Sequence, residues 1–311
     1  MEHYVTLFDS LFLPQGLALH ASMERQIKEY TLWVLCVDDQ TYDVLNQLKL
    51  PNVRLLQLSK LETEALLRVK KERKKGEYCW TLTPFAPRFV FEADPAVQRV
   101  TYIDADLWFC KSPTPLLKDF ESSGKQVLIT EHGYAPEYDQ SATSGIYCVQ
   151  FMTFTREGGE KVRKWWEERC IEWCFDYTED GKFGDQKYLD DWPTRFANEV
   201  HVASNNEWTL APWNAIRFPV SGALFFHFHE FKIMNQNKAL IGDKYLPPAV
   251  KEYIYTPYAK DIRAAIDKLA TINFEIRPQT NGVNSLKRLL LVMRKKLLQL
   301  RDVVFGPKVT L

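Results

Sequence analysis

The sequence predicts an α/β fold in which a mixed, mostly parallel sheet is flanked by helices and followed by a helical C-terminal extension. Two observations carry this prediction. Short apolar runs alternate with helical stretches over residues 1–235, which is the pattern of a doubly wound sheet. The chain has 311 residues, 46% of them hydrophobic and 26% charged, so it can bury a substantial core and does not have the composition of a disordered protein.

The predicted elements follow one another in a regular order along the chain. The predicted strands cover residues 4–8, 31–37, 53–58, 99–104, 126–130, 146–154 and 220–232. The predicted helices cover residues 15–29, 42–48 and 158–177, with a further helix starting near 185. Residues 61–78 are predicted to start as a helix that turns into a basic loop, and the stretch 80–92 is predicted to be helical beyond Pro87. The basic run Lys70–Lys75 indicates a solvated helix end. Polar loops at strand ends are where such folds bind ligands.

Composition excludes some partners and indicates a compartment. Lys+Arg and Asp+Glu are equal at 40 each, so overall charge predicts no nucleic-acid partner. The six cysteines form no CxxC pair and are expected to be reduced in a cytosolic protein. The N-terminus has no signal-peptide pattern, and no stretch reaches the roughly 18 apolar residues of a membrane span. We therefore expect a cytoplasmic protein that can be peripheral on the inner membrane.

The pattern changes after Pro248, and residues 236–311 are predicted to form the C-terminal extension. Residues 284–305 combine apolar positions at helical spacing with six Lys and Arg residues. A basic amphipathic helix of this kind suits an anionic membrane surface. The alternative is a helix that docks on the protein itself or on a second subunit.

The stretch "TYIDADLWF", residues 101–109, places Asp104 and Asp106 directly after an apolar strand. Buried anions need a cation or a proton as partner. Two carboxylates so spaced can reach one ion and form the oxygen-rich site that Mg²⁺ or Mn²⁺ prefers. Such an ion can also hold the phosphate oxygens of a ligand and stabilise charge on a leaving diphosphate. Alone, a DxD pattern is common by chance.

Two further constellations could complete a site with these carboxylates. The stretch "FGDQKYLDDW", residues 183–192, places Asp185 and Gln186 at the start of a predicted helix. The apolar run "VSGALFFHFHEFK", residues 220–232, carries His227, His229 and Lys232. Neutral imidazole is a good ligand for a manganese-type ion, and Lys is a good partner for a diphosphate.

With these motifs in this order, residues 1–235 resemble the catalytic domain of a GT-A glycosyltransferase, a Rossmann-like nucleotide-diphospho-sugar transferase. The resemblance is to the family 8 type, which includes glycogenin and bacterial lipopolysaccharide galactosyltransferases. Within that type the chain is similar to a bacterial polysaccharide-cluster subgroup with "GDQKYLD" followed by "LAPWN". The resemblance implies transfer of a sugar from a nucleoside-diphosphate donor, a UDP-sugar first of all, to a saccharide or lipid-linked acceptor in surface polysaccharide or lipopolysaccharide synthesis, with retention of configuration.

The resemblance also implies roles for individual residues. Asp104 and Asp106 would bind Mn²⁺ or Mg²⁺ together with His227, and Asp185 or Gln186 would lie near the reacting carbon. The remaining donor contacts would come from Thr6, Phe8, Asp9, Arg88 and Lys232. Thr6, Phe8 and Asp9 would line the base and ribose, Arg88 would hold the donor, and Lys232 would approach the diphosphate.

The chain departs from the family pattern in two places. The late family motif runs His, aromatic, any residue, Gly, and then Lys six places after the His, whereas Lys232 is five places after His227 and the Gly is missing. The strand that usually carries Asn and Gly for donor-sugar contacts has Cys148 and Gln150 here.

Two alternatives stay open at this point. A haloacid-dehalogenase-like Mg²⁺-dependent phosphatase also uses a strand followed by DxD, with Asp104 as nucleophile and Asp106 as acid and base. Against it, Trp108 stands where that class has Thr or Val, and the DxD follows about a hundred residues of α/β structure, not the first strand. The second alternative is a non-catalytic module that binds nucleotide sugars, which would show metal-dependent nucleotide binding without turnover.

Overall fold

The computed structural model describes residues 1–242, 244–279 and the backbone strand 308–310. Its strands are β1 Glu2–Phe8, β2 Tyr30–Cys36, β3 Val53–Gln57, β4 Arg99–Ile103, β5 Leu107–Phe109, β6 Val127–Glu131, β7 Tyr147–Thr155, β8 Val200–Val202, β9 Thr209–Leu210, β10 Phe225–His227, β11 Phe231–Asn235, β12 Lys238–Ile241 and β13 Lys308–Thr310. Its α-helices are α1 Leu13–Gln26, α2 Asp39–Leu48, α3 Glu64–Lys70, α4 Lys75–Leu82, α5 Phe85–Ala93, α6 Thr114–Ser123, α7 Ser141–Ser144, α8 Glu160–Glu172, α9 Trp192–Arg195, α10 Pro248–Val250 and α11 Thr256–Ala270.

The central sheet has seven strands in the order β3-β2-β1-β4-β7-β6-β8. The pairs β1–β2, β2–β3, β1–β4 and β6–β8 are parallel, while β7 runs antiparallel to both β4 and β6. Helices pack their apolar sides on both faces of the sheet, burying separate clusters that include Tyr4 and Phe109 on one side and Trp33 and Phe89 on the other. The predicted mixed, mostly parallel α/β fold is confirmed.

The carboxyl ends of β1 and β4 lie beside each other because the two strands are parallel neighbours, with Tyr4 opposite Thr101. This edge therefore brings together the residues that follow each strand, Asp9 after β1 and Asp104 after β4. Ligands bind at such an edge in open α/β sheets.

Two predicted elements are interrupted. The segment 61–78, expected to be a helix that turns into a basic loop, forms α3 up to Lys70 and then a second helix, α4, which starts at Lys75. The strand expected over 220–232 is divided into β10 and β11, because Glu230 adopts a left-handed conformation with φ of 65°. A residue with positive φ turns the backbone out of the extended conformation, and His229 consequently lies in a turn.

The described residues from 236 to 279 pack on the rest of the chain. The apolar side of α11 lies against α1, and Ala265 and Leu269 belong to the same buried cluster as Leu17 and Leu19 of α1. Gln279 closes this segment by accepting a hydrogen bond from the Ile233 amide at 2.9 Å. The predicted boundary after residue 235 stays a proposal, and cutting the chain there would expose the apolar side of α1.

The predicted amphipathic helix over 284–305 lies outside the described residues, so its membrane role stays a prediction. In the part of the chain that the structure describes, no helix combines the length and the apolar character needed to cross a bilayer. The six cysteines are free thiols, as predicted.

Candidate functional site

A cavity of about 610 Å³ opens at the carboxyl edge of the central sheet. Its floor contains Asp104 and Asp106, and His227 lies beside them. One end is lined by the loop after β1 and the start of α4, and the other end by aromatic side chains and Lys244. Asp185 and Gln186 lie along one wall between these ends.

Strand pairing explains why Asp104, Asp106 and His227 meet although more than a hundred residues separate them. The short strand β5 begins directly after Asp106 and pairs antiparallel with β10, which places Leu107 opposite His227. The amide of Phe228 then donates to the carbonyl of Asp106 at 2.9 Å, which extends the ladder. The carboxylates that follow β4 and the imidazole at the end of β10 therefore lie next to each other.

The three side chains form a compact group. Nε2 of His227 lies 3.2 Å from Oδ1 of Asp106 and 3.7 Å from Oδ2 of Asp104. One ligand atom from each residue lies within 4.8 Å of the other two. Two carboxylates and one imidazole on one centre are a donor set suited to Mn²⁺ and acceptable to Mg²⁺. The residues therefore fit the divalent ion that the resemblance implies.

The charges in this group are strongly coupled. Burial opposes protonation of His227, but the adjacent carboxylate of Asp106 dominates and raises the pKa of His227 well above 6.5. Burial would raise the pKa of Asp106, yet His227 holds that pKa below its usual value. Burial raises the pKa of Asp104 to about 6, with the Asp106 charge adding to the shift and His227 opposing it. A proton on His227 thus balances charge where a cation would bind.

Asp185 extends the polar floor toward the wall of the cavity. Burial raises the pKa of its carboxyl group to about 7, and the charge of Asp104 adds to the shift. Tyr102 donates to Asp104 Oδ1 at 2.8 Å, and both Tyr102 and Thr83 line the cavity with the two carboxylates. Oδ2 of Asp185 is buried and has no partner among the described residues, although buried polar atoms normally have one. The absence of a partner for this buried oxygen agrees with a carboxyl group whose charged form is disfavoured.

Gln186 lies beside Asp185 on the cavity wall but uses its amide within the protein. Its Nε2 donates to the carbonyl of Ser144 at 2.8 Å. This bond holds the short helix α7, and with it the loop from Gly133 to Gly145, against the cavity. The two glycines at the ends of that loop have φ values of 57° and 103°, which other residues rarely adopt.

Of the three residues predicted to contact the nucleoside, two line the cavity and one does not. Phe8 and Asp9 line the cavity, whereas Thr6 does not. Thr6 is fully buried in the middle of β1, and its contact with the base or ribose stays a prediction. Lys75, at the start of α4, also lines the cavity and forms an ion pair with Asp9. The sequence interpretation of the basic run as a solvated helix end missed this residue.

Arg88 does not line the cavity, and the expectation that it holds the donor stays a prediction. Helix α5 starts after Pro84 and directs Arg88 away from the sheet edge, where it bonds Glu92 at 2.7 Å and lies 3.6 Å from Glu167. A basic residue near the right position in the sequence was not sufficient, because the orientation of a helix decides which face a side chain takes.

Lys232 also lies away from the cavity. It belongs to β11, opposite Leu240 of β12. Lys244, just beyond the β11–β12 hairpin, lines the cavity instead and lies 3.6 Å from Glu230. The hairpin separates His227 from Lys244 in sequence, so the spacing of the late motif did not indicate Lys244. The approach of Lys232 to the diphosphate stays a prediction. Gly242, two residues before Lys244, has a φ of 75°. This glycine was the sequence feature that indicated a turn just before Lys244.

The far end of the cavity has an aromatic wall, which the sequence analysis did not assign to a site. Tyr134 stacks on His132 with ring centroids 4.6 Å apart, and Trp213 packs edge-on to His132 and His227. The "LAPWN" motif builds this wall, since the indole of Trp213 and the amide of Asn214 both donate to the carbonyl of His132. His229 lines the cavity next to Trp213.

A tight contact beneath the nucleoside end yields a stability prediction. A Cβ atom at Gly16 of α1 would lie 2.6 Å from Cε1 of Phe8. Gly16→Ala should therefore lower the free energy of unfolding by about 1–3 kcal/mol, as overpacked cores do, despite the better helix propensity of Ala. Gly76→Ala is the control, since its Cβ would meet nothing within 4 Å. Urea denaturation of both variants measures the effect, and equal stabilities would contradict this packing.

The comparisons with known proteins agree with this architecture. The chain is 31% identical over 255 residues to the uncharacterized protein YfnF of Bacillus subtilis, covering 76% of this chain and 83% of YfnF. No protein-family model matches the chain.

Solved structures show the same fold at low sequence identity. The galactosyltransferase LgtC, solved with donor and acceptor sugar analogues, superposes with a TM-score of 0.53 at 13% identity over 84% of this chain and 95% of LgtC. The glycosyltransferase GlyE of Streptococcus pneumoniae gives a TM-score of 0.51 at 12% identity, covering 90% of this chain and 66% of GlyE. The protein thus has the GT-A fold, and it belongs to the family of Bacillus subtilis YfnF.

Proposed function

We propose that this protein is a metal-dependent glycosyltransferase that moves a sugar from a nucleoside-diphosphate donor, a UDP-sugar, to a saccharide or lipid-linked acceptor in surface polysaccharide synthesis. The observation that carries the proposal is the Asp104–Asp106–His227 group on the floor of a cavity large enough for a nucleotide sugar. The GT-A fold and the position of this group at the carboxyl edge of the sheet support the transferase over the phosphatase alternative.

Each part of the cavity has a place in the proposed reaction. Phe8 and Asp9 would bind the nucleoside, and Lys75 is near enough to take part once Asp9 engages the ribose. Asp104, Asp106 and His227 would hold the divalent ion, which when bound neutralises charge on the leaving diphosphate. Lys244 adds a positive charge to the cavity lining, and either this lysine or Lys232 would approach the diphosphate.

The reacting sugar would lie between the diphosphate and the aromatic wall. Asp185 lines the cavity, where its carboxyl group would stabilise the oxocarbenium-like sugar or orient the acceptor hydroxyl. Gln186 supports the wall through the Ser144 carbonyl. Aromatic faces such as Tyr134 suit the apolar face of an acceptor sugar. We propose retention of configuration on the strength of the family 8 resemblance.

The proposal is tested by incubating the protein with Mn²⁺, a panel of UDP-hexoses and saccharide acceptors, and measuring UDP release and glycosylated product. We expect UDP release with at least one donor, stimulated by the right acceptor. Mn²⁺-dependent binding of UDP without release from any donor would favour the non-catalytic binding module instead.

Metal binding should compete with the proton on His227. The pKa of His227 is raised by Asp106, so a bound ion must displace the proton wherever the imidazole is protonated. We expect Mn²⁺ binding to release about one proton and to strengthen about tenfold per pH unit until the pH reaches that raised pKa. Calorimetry in two buffers with different ionisation enthalpies measures the release, and buffer-independent heats would contradict it.

A further inference from the structure

Gln150 occupies a junction between the two strands that carry the metal-binding group. It lies on β7, which runs antiparallel to β4 in a register that pairs Phe151 with Ile103. Its backbone carbonyl accepts a hydrogen bond from the amide of Asp104 at 3.1 Å. Its side-chain Oε1 lies 3.0 Å from Nδ1 of His227. One residue thus contacts both Asp104 and His227.

The side chain of Gln150 is held in place for this contact. Gln150 is fully buried, and its Nε2 has no hydrogen-bond partner among the described residues. An unpartnered buried amide costs stability, so packing alone would favour an apolar side chain of similar length. The remaining polar contact of the side chain is the one between Oε1 and the imidazole.

The geometry of the imidazole gives this contact a consequence for metal binding. Oε1 of Gln150 can only accept a hydrogen bond, so Nδ1 of His227 carries the proton. The lone pair of the neutral ring is then on Nε2, the atom that faces Asp106 and Asp104. A histidine ligand is generally fixed in this way by a partner on its other nitrogen, and loss of the partner costs 10–100-fold in metal affinity.

We infer that Gln150 is a positioning residue that fixes the Nδ1–H tautomer and the ring orientation of His227, so that Nε2 is presented to a divalent ion held with Asp104 and Asp106. The inference rests on the proposed function only for the use of the ion, because the hydrogen bond itself is a feature of the fold.

The test is a double-mutant cycle read out as Mn²⁺ affinity, measured by EPR of free Mn²⁺ up to millimolar concentrations. Gln150→Met keeps the length of the side chain and removes the acceptor, and Gln150→Glu keeps the acceptor. Each is made in the wild-type chain and in His227→Ala. We expect Gln150→Met to weaken Mn²⁺ binding by about 10–100-fold in the wild-type chain and by less than about twofold in His227→Ala, because the coupling exists only through the imidazole.

The Glu variant separates positioning from packing. If Gln150 only fills space, Met is tolerated and a buried carboxylate is not, so Mn²⁺ affinity falls in Gln150→Glu and persists in Gln150→Met. If Gln150 positions His227, Mn²⁺ affinity falls in Gln150→Met and persists in Gln150→Glu. The difference between these two variants then disappears in the His227→Ala background. Equal losses from Gln150→Met in both backgrounds would overturn the inference. Failure of the wild-type chain to bind Mn²⁺ would instead overturn the proposed metal dependence, so the two failures are distinguishable.

Discussion

Asp106→Asn should reduce sugar transfer by about a thousandfold or more and leave the fold intact. A bound ion supplies several kcal/mol of charge stabilisation, and each 1.4 kcal/mol corresponds to a factor of ten in rate. Asp106 is the closest carboxylate to Nε2 of His227, at 3.2 Å, so its loss removes a ligand and the partner that charges His227. Initial rates at saturating UDP-sugar and Mn²⁺, with Mn²⁺ affinity measured alongside, test this expectation.

The matched control for this variant is Asp43→Asn. Asp43 is an exposed residue of α2 and lies outside the cavity lining, so the same chemical change should leave the rate unchanged. Circular dichroism of both variants monitors the fold. Full activity per folded molecule in Asp106→Asn would contradict the assignment of this carboxylate to the catalytic site.

Asp185→Asn should combine a loss of activity with a gain in stability at high pH. We expect the turnover number to fall by about a hundredfold, the size of effect seen when one electrostatic group at a reacting centre is removed. The affinities for Mn²⁺ and UDP should change little, because Asp185 lies on the wall beside the Asp104–Asp106–His227 group and outside it. This separation of turnover from binding distinguishes Asp185 from the metal-binding residues.

The stability effect follows from the raised pKa of Asp185. The folded-state pKa of about 7 lies above the ordinary value of 3.8, so between these values the folded protein binds more protons than the unfolded chain. The free energy of unfolding therefore decreases as pH rises from about 4 to about 7, by an amount approaching 4 kcal/mol for three pKa units. Because Asn cannot ionise, the Asp185→Asn variant does not show this decrease in the free energy of unfolding.

Urea denaturation of metal-free wild type and Asp185→Asn at pH 5 and pH 8 tests this difference. The variant should gain stability relative to wild type as pH increases. Such a pattern, lower turnover with higher stability, is typical of functional groups that a fold retains at a cost. A variant that is less stable at both pH values and fully active would show that Asp185 is a structural residue.

The sequence predicted those parts of the site that follow directly from strand ends. Asp104 and Asp106 end an apolar strand, so the alternation of strands and helices was enough to place them at the carboxyl edge of the sheet. His227 joins them through the antiparallel pairing of β5 with β10. Asp185 was found through a motif whose local structure, a turn before a short 3-10 helix, resembles the predicted helix start. In these places local pattern and tertiary structure agree.

Other parts of the site depend on contacts between elements that no local pattern specifies. The orientation of α5 turns Arg88 outward, and the β11–β12 hairpin brings Lys244 to the cavity in place of Lys232. The pairing of Gln150 with His227 depends on the register of β7 against β4. Register and helix rotation are tertiary properties, and a single sequence does not determine them.

The central claim, that Asp104, Asp106 and His227 form a metal–diphosphate site, is tested most directly by thermal denaturation with UDP in the presence and absence of Mn²⁺. A ligand at a hundred times its Kd stabilises the native state by about 2.7 kcal/mol, enough to raise the melting temperature by several degrees. We predict a shift with UDP that requires Mn²⁺ and disappears in Asp106→Asn. Stabilisation by Mg²⁺ with phosphate analogues, and by no nucleotide, would contradict the claim and favour a phosphatase.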